Sequence, residues 1–216
     1  MKAKAGMMWC LAVALAAASV LLMVHGASAQ ETEFTIERAL SAPYTSDLIA
    51  APSKGRFAWV ANIDGRRNLW IADPTQDGKG HVSRQVTHYA DDDGQEIHSP
   101  QWAPDGSYLV YVRGSGAQGE DHPVPNPAWL PHGAQQQLWV VSAEGGEPRL
   151  LGDGQGPAIC PDGKQVDYMV KGQIWTIRLD DPKASPTQVL ETRGSAQSLR
   201  WSPDGMHLAF VSDRGE

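Results

Sequence analysis

Cysteine is nearly absent from this chain, with two residues in 216. One of them, Cys10, sits in an apolar leader, so the rest of the chain holds Cys160 alone and can close no intramolecular disulfide. Stability then rests on packing rather than on covalent staples. No His or Cys stands at metal or nucleophile spacing from Cys160, and nothing in the sequence calls for a cofactor or a bound metal. Catalytic signatures are missing as well. There is no Gly-x-Ser-x-Gly elbow, and no Gly-x-Gly-x-x-Gly or Walker pattern. Basic residues are also in deficit, 18 Lys and Arg against 25 Asp and Glu, for a net charge of −7. That balance excludes nucleic acid and anionic lipid as natural partners. Arg66-Arg67 is the only basic doublet, and its place after Asp64-Gly65 reads as a solvated hairpin tip.

What is present begins with a leader. Lys2 and Lys4 precede an uncharged apolar run from Met7 to Val24, and Ala27-Ser28-Ala29 supplies a small-x-small site followed at once by polar Gln30-Glu31-Thr32. Residues 1–29 are expected to be a signal peptide, cut after Ala29, and the mature protein to be secreted or periplasmic with no membrane association. A retained anchor is the competing reading, since the run approaches the roughly 18–20 residues of a span. Cleavage removes two lysines and no acid, which makes the mature protein more acidic still.

The dominant feature is a repeat. Pro-Asp-Gly, two residues, an apolar residue, one residue and an aromatic recur at Pro104-Asp105-Gly106…Leu109-Val-Tyr111, Pro161-Asp162-Gly163…Val166-Asp-Tyr168 and Pro203-Asp204-Gly205…Leu208-Ala-Phe210. A worn copy runs from Pro52-Ser53-Lys54-Gly55 to Phe57-Ala-Trp59. Pro presets φ, Asp bonds the backbone just downstream, and Gly takes positive φ, so each copy is a turn. The period-two alternation after it predicts a strand with one side toward a core. A second strand carries Leu-Trp or Ile-Trp: Leu69-Trp70, Leu138-Trp139 and Ile174-Trp175. A short closing strand follows near Val86, Leu150 and Val189, and residues such as Glu96-Ile97-His98 and Ala196–Leu199 supply a fourth.

Self-similarity at a period of roughly 40–50 residues marks a solenoid, propeller or array. Four-stranded antiparallel units repeated radially are the blades of a β-propeller. The expected fold is therefore all-β: a lead-in over 30–47, then an incomplete propeller over 48–216. Its blades fall near 48–87, 97–151 and 158–190, with a fourth over 199–216 that stops after its first Pro-Asp-Gly strand. The Pro-Asp-Gly strand is read as the inner one, and the tryptophans as core.

Two segments stand outside this scheme. Residues 114–136 interrupt the second blade with four prolines and several glycines, and loops of that length are often functional. Glu120, Asp121, His122 and His132 lack the spacing to converge on a metal. Trp129, in Pro-Ala-Trp-Leu-Pro, reads as a contact for another domain or partner. The second segment is Asp91-Asp92-Asp93-Gly94-Gln95-Glu96-Ile97-His98. It lacks the alternate-position acids of an EF-hand and reads as an acidic turn into a blade strand. Trp129, His122, His132, Asp92, Asp93 and Glu96 are the candidate contact residues.

These residues resemble a family. The lead-in Phe34–Tyr44, the run Leu48–Pro52, the Asp92–Ile97 turn and the Gln136–Val141 strand are similar to the propeller of bacterial prolyl oligopeptidase family serine peptidases, in the acylaminoacyl-peptidase and dipeptidyl-peptidase branch. Trp201-Ser-Pro-Asp-Gly…Leu-Ala-Phe-Val-Ser-Asp-Arg-Gly resembles the TolB-like repeat. The resemblance spans residues 34–216. It implies a peptide substrate, cleaved by a C-terminal α/β-hydrolase domain that carries Ser, Asp and His, with the propeller gating access. No triad residue lies in this chain, and no helix-borne Glu-Glu motif is available to hold a peptide amino terminus. The partner implied is that hydrolase domain; a stand-alone TolB-like propeller that binds a periplasmic protein is the alternative.

Overall fold

A computed structural model describes residues 35–114 and 136–213. Two units are distinguished, residues 1–40 and 41–216. In the first, a short helix α1 (Ile36–Leu40) is capped by Thr35, whose Oγ1 accepts the Arg38 amide at 3.1 Å.

The second unit is built of antiparallel sheets. Blade one comprises β1 (Tyr44–Ala50), β2 (Phe57–Ile63), β3 (Arg66–Pro74) and β4 (His81–Gln85). Blade two comprises β5 (Ile97–Trp102), β6 (Tyr108–Arg113), β7 (Gln137–Ser142) and β8 (Arg149–Asp153). Blade three comprises β9 (Gln155–Ile159), β10 (Gln165–Val170), β11 (Gln173–Arg178) and β12 (Thr187–Leu190). Each pairs in simple sequence order. A two-stranded sheet, β13 (Ser195–Trp201) with β14 (Leu208–Asp213), opens blade four. The described residues thus form an open β-propeller of about three and a half blades.

The repeat's turn chemistry is visible in the hydrogen bonds. Gly106 N donates to Ala103 O at 2.9 Å, Gly163 N to Cys160 O at 2.8 Å and Gly205 N to Ser202 O at 2.9 Å. The three glycines have φ of 71°, 69° and 69°, the left-handed region that favours glycine. The aspartates accept from the backbone two residues on: Ser107 N at 2.9 Å, Lys164 N at 2.9 Å and Met206 N at 3.0 Å. Those bonds, with the Ser107 and Ser202 hydroxyls, hold the carboxyls of Asp105, Asp162 and Asp204 below their ordinary range. Cys160 fills the place of Ala103 and Ser202, its amide bonded to Gln165 O at 2.9 Å.

Packing corrects two expectations. The strand after Pro-Asp-Gly is the second of each sheet, not the inner one. The first strands are inner, because β1 meets β5, β5 meets β9 and β9 meets β13. Nor do the blade strands have only one covered side. In β6, Leu109 and Tyr111 pack toward blade one with Ala58, Val60, Leu69 and Ile71. Val110 and Val112 pack toward blade three with Val166, Tyr168 and Ile177. Radial stacking covers both faces of an internal blade, and each buried aromatic of this size removes roughly 150–250 Å² from water.

The tryptophans follow the same logic unevenly. Trp102 is buried, and Trp139, Trp175 and Trp201 are partly buried against the blade interfaces. Trp59 and Trp70 stack with ring centroids 6.4 Å apart, and both are likewise partly buried. They lie on the side of blade one that no described blade covers, so among the described residues they pack on each other rather than between two blades.

Candidate functional site

Every first strand carries the same irregularity. Asp47, Ser99, Gly156 and Ser198 occupy equivalent places, three residues before Ala50, Trp102, Ile159 and Trp201, and have φ of 53°, 52°, 61° and 57°. In β1, β5 and β13 the register with the second strand shifts across this residue, and a similar shift marks the pairing of β9 with β10. Three of the four are not glycine, so the ladder and interblade packing over-determine a conformation that L-residues seldom adopt. Alternation in the sequence gives no sign of it.

The bulges of blades two, three and four converge on a cleft of about 450 Å³. Its walls include His98, Ser99, Gly156, Met169, Ser195 and Ser198, and among the described residues no Asp, Glu, Lys or Arg lines it. A second cleft of about 260 Å³ shares Ser99, Gly156, Met169 and Ser198 and extends to Gln101 and Arg200. Gln101 bridges the blades there: its Nε2 donates to Pro157 O at 2.5 Å, and its Oε1 accepts the Ile159 amide at 3.4 Å. The His98 ring is tied at both nitrogens. Nδ1 lies 3.0 Å from Ser99 Oγ, and Nε2 lies 3.3 Å from Gly114 O and 3.3 Å from the Gln136 amide nitrogen. With Nε2 protonated it donates to Gly114 O and Nδ1 accepts the Ser99 hydroxyl; with Nδ1 protonated it donates to Ser99 Oγ and Nε2 accepts from the Gln136 amide. A neutral wall of hydroxyls and amides of this kind suits a ligand rich in neutral hydrogen-bonding groups, such as a peptide backbone.

The acidic turn leads into the same strand, β5. Arg67 Nη1 is 3.5 Å from Asp92 Oδ1, and Arg67 Nε is 3.0 Å from Glu96 Oε1 as an ion pair not aligned for hydrogen bonding. Arg67 Nη1 also donates to Gly65 O at 2.7 Å. Asp93 pairs with Arg113, whose guanidinium lies 4.2 Å over the Tyr89 ring. Tyr89 in turn meets Tyr111 hydroxyl to hydroxyl at 2.7 Å. Arg67 is 17% exposed in its side chain, so it is not a solvated tip. It ties the β2–β3 hairpin of blade one to the entry of blade two, and the signal in the sequence was only the presence of both charge signs. Asp92, Asp93 and Glu96 are thereby placed within one interblade clasp. Trp129, His122 and His132 lie outside the described residues, as does the 1–29 leader. Among the described residues, no three His, Cys, Asp or Glu side chains converge as metal ligands do.

One further group was missed. Asp167 is buried, on the side of β10 facing blade four, where Ala58 and Val110 stand in blades one and two. Burial pushes its carboxyl above the ordinary aspartate value, against weaker lowering by Thr176, Trp201 and Gln165; its Oδ2 has no aligned partner.

No family model and no curated protein matches the chain. Solved structures do. An oligogalacturonate lyase in complex with manganese matches at TM-score 0.53 and 17% identity, over 78% of this chain and 45% of that one. A TolB-type protein from Agrobacterium tumefaciens matches at TM-score 0.48 and 19% identity, over 79% of this chain and 55% of that one. The acylaminoacyl peptidase of Pyrococcus horikoshii matches at TM-score 0.40 and 21% identity, over 55% of this chain and 17% of that one. This chain spans about half the length of the first two. At such identities the likeness shows the fold alone, a β-propeller.

Proposed function

We propose that this chain is the propeller portion of a secreted or periplasmic serine peptidase of the prolyl oligopeptidase type, gating and positioning peptides rather than cutting them. The axial cleft carries the reading: its converging first strands present hydroxyls, amides and His98, and among the described residues no fixed charge. Such a wall can hold a backbone in transit without selecting one side-chain charge. The acidic turn, which resembles that of those peptidases, leads into β5 beside the cleft, and the TolB-like Pro-Asp-Gly repeat builds the blades around it. Cleavage itself is assigned to a partner α/β-hydrolase domain with its Ser, Asp and His.

The Trp59–Trp70 side of blade one, which no described blade covers, favours a second reading, a stand-alone TolB-like propeller that binds a periplasmic protein. The reading frame after Glu216 separates the two. Further blades and then a Gly-x-Ser-x-Gly elbow support the peptidase, whereas a stop codon after two or three more blades overturns it. Residues 30–216, purified, are expected to hydrolyse neither peptide nor ester substrates, and serine-dependent turnover would contradict the gating role.

A further inference from the structure

The repeat shows where the wall of the axial cleft departs from its own pattern. At the bulge of the first strand, blades one, two and four carry a side chain, Asp47, Ser99 and Ser198, whereas blade three carries Gly156. The missing side chain has a substitute. A Cβ at Gly156 would stand 2.3 Å from the terminal methyl of Met169 and 4.0 Å from its sulfur. The end of Met169 thus fills the place that a serine takes in the neighbouring blades. Val60, Val112, Met169 and Val211 are equivalent, each pairing with the residue just before the bulge. Val60 and Val112 are buried. Met169 packs against Ala158, Ile174, Ala196 and Leu199 between blades three and four, yet stays only partly buried and lines both axial clefts. The other apolar residues there, Pro100, Pro157, Ala196 and Leu199, are buried. Arg200 reaches only the second cleft, and its Nη1 already donates to Leu199 O at 2.8 Å.

We propose that Met169 is the specificity-determining residue of the axial cleft, its thioether receiving a large apolar side chain of the peptide whose backbone the hydroxyls and amides hold. The inference rests on the peptide reading of the cleft and adds selectivity to it. A neutral hydrogen-bonding wall treats the backbone of every residue alike, so discrimination falls to the apolar surface within reach of the ligand. Among the described residues Met169 supplies that surface. An unbranched thioether adapts its shape and makes favourable contacts with aromatic rings, whereas a β-branched valine is fixed at χ1. Were Met169 only a filler of the interface, valine would serve there as it does in blade two.

The experiment titrates the purified full chain with two capped pentapeptides, alanine throughout except for phenylalanine or serine at the centre. Backbone amide resonances of Ser99 and Ser198 report affinity, and the Met169 methyl resonance reports location. The wild-type chain is expected to bind the phenylalanine peptide roughly three- to tenfold more tightly, the range of a sulfur–aromatic contact, and to shift the Met169 methyl with that peptide. Met169→Val matches blade three to the other blades. Gly156→Ser uses a residue that Ser99 and Ser198 already hold at this φ, and turns the flexible end of Met169 out of the cleft. Both variants should keep the wild-type affinity for the serine peptide and lose the preference, with circular dichroism checking each fold. Equal affinity of the wild-type chain for the two peptides, or a preference that survives either variant, overturns the inference and leaves the peptide reading standing. Binding of neither peptide overturns the peptide reading of the cleft, and this inference with it.

Discussion

The hydroxyl pair between Tyr89 and Tyr111 offers a quantitative test of how blade one is fastened to blade two. Tyr111 is fully buried in the interface, and the only described partner of its hydroxyl is Tyr89, at 2.7 Å. Burial raises both phenols above their ordinary value, so the pair is neutral at every physiological pH. Tyr89→Phe strands a buried hydroxyl and should cost about 1–3 kcal/mol, the penalty for an unsatisfied buried donor. Tyr111→Phe removes the partner of the Tyr89 hydroxyl, on a residue that is only partly buried where Tyr111 is fully buried. That change should cost about 0.5–1.5 kcal/mol. Changing both leaves two rings of unchanged shape and no orphan, and should cost less than either single change. Phenylalanine retains the ring beneath Arg113, so the cycle isolates the hydroxyl contact from the cation–π contact. Urea unfolding followed by circular dichroism and tryptophan fluorescence is the assay. With m near 1–3 kcal/mol per molar, a loss of about 2 kcal/mol moves the midpoint by about 1 M. A double variant whose loss equals the sum of the single losses refutes the pairing.

Two more expectations concern buried groups. Asp167 has a folded pKa above its unfolded value near 3.8, so the folded state holds its proton more tightly. Stability should therefore fall as pH rises from about 3.8 through the folded value, and stay reduced above it. Asp167→Asn should be more stable than wild type at pH 7 and lose that part of the pH dependence; a lower urea midpoint for the variant at pH 7 would show that the carboxylate is stabilised instead. Cys160 is buried, and burial pushes its thiol above the ordinary value. It should resist a thiol-specific disulfide reagent in the native protein and react stoichiometrically in denaturant. Rapid native labelling would place the thiol at the surface.

The features legible in the sequence are those whose chemistry is local. Pro104-Asp105-Gly106 fixes its own turn with bonds spanning two and three residues, and Leu138-Trp139 announces a strand regardless of what lies beside it. What escaped was set by residues far apart in the chain. Arg67 becomes a clasp only when blade two brings Asp92 and Glu96 to it. Ser99 and Ser198 take positive φ because neighbouring strands impose it, with no glycine to mark the place. The inner position of the first strands was hidden for the same reason, since it depends on which strands of successive blades meet.

Asp167 shows why period-two alternation misleads in this fold. In Val166-Asp167-Tyr168 the acid alternates with apolar residues, which in an isolated sheet places it toward water. A propeller blade has no such side while it has neighbours in both directions, and Val110 and Val112 are as buried as Leu109 and Tyr111. Among the described residues, the second strands turn a side to solvent at the ends of the arc, and there the pattern is apolar: Phe57 and Trp59 at one end, Ala209 and Val211 at the other. An end that remained in water would relieve the burial constraint on those positions, and charged or polar residues would serve it better. Aromatic and aliphatic residues at both ends, in the same register as the buried interfaces, are what a ring requires where each end meets another blade.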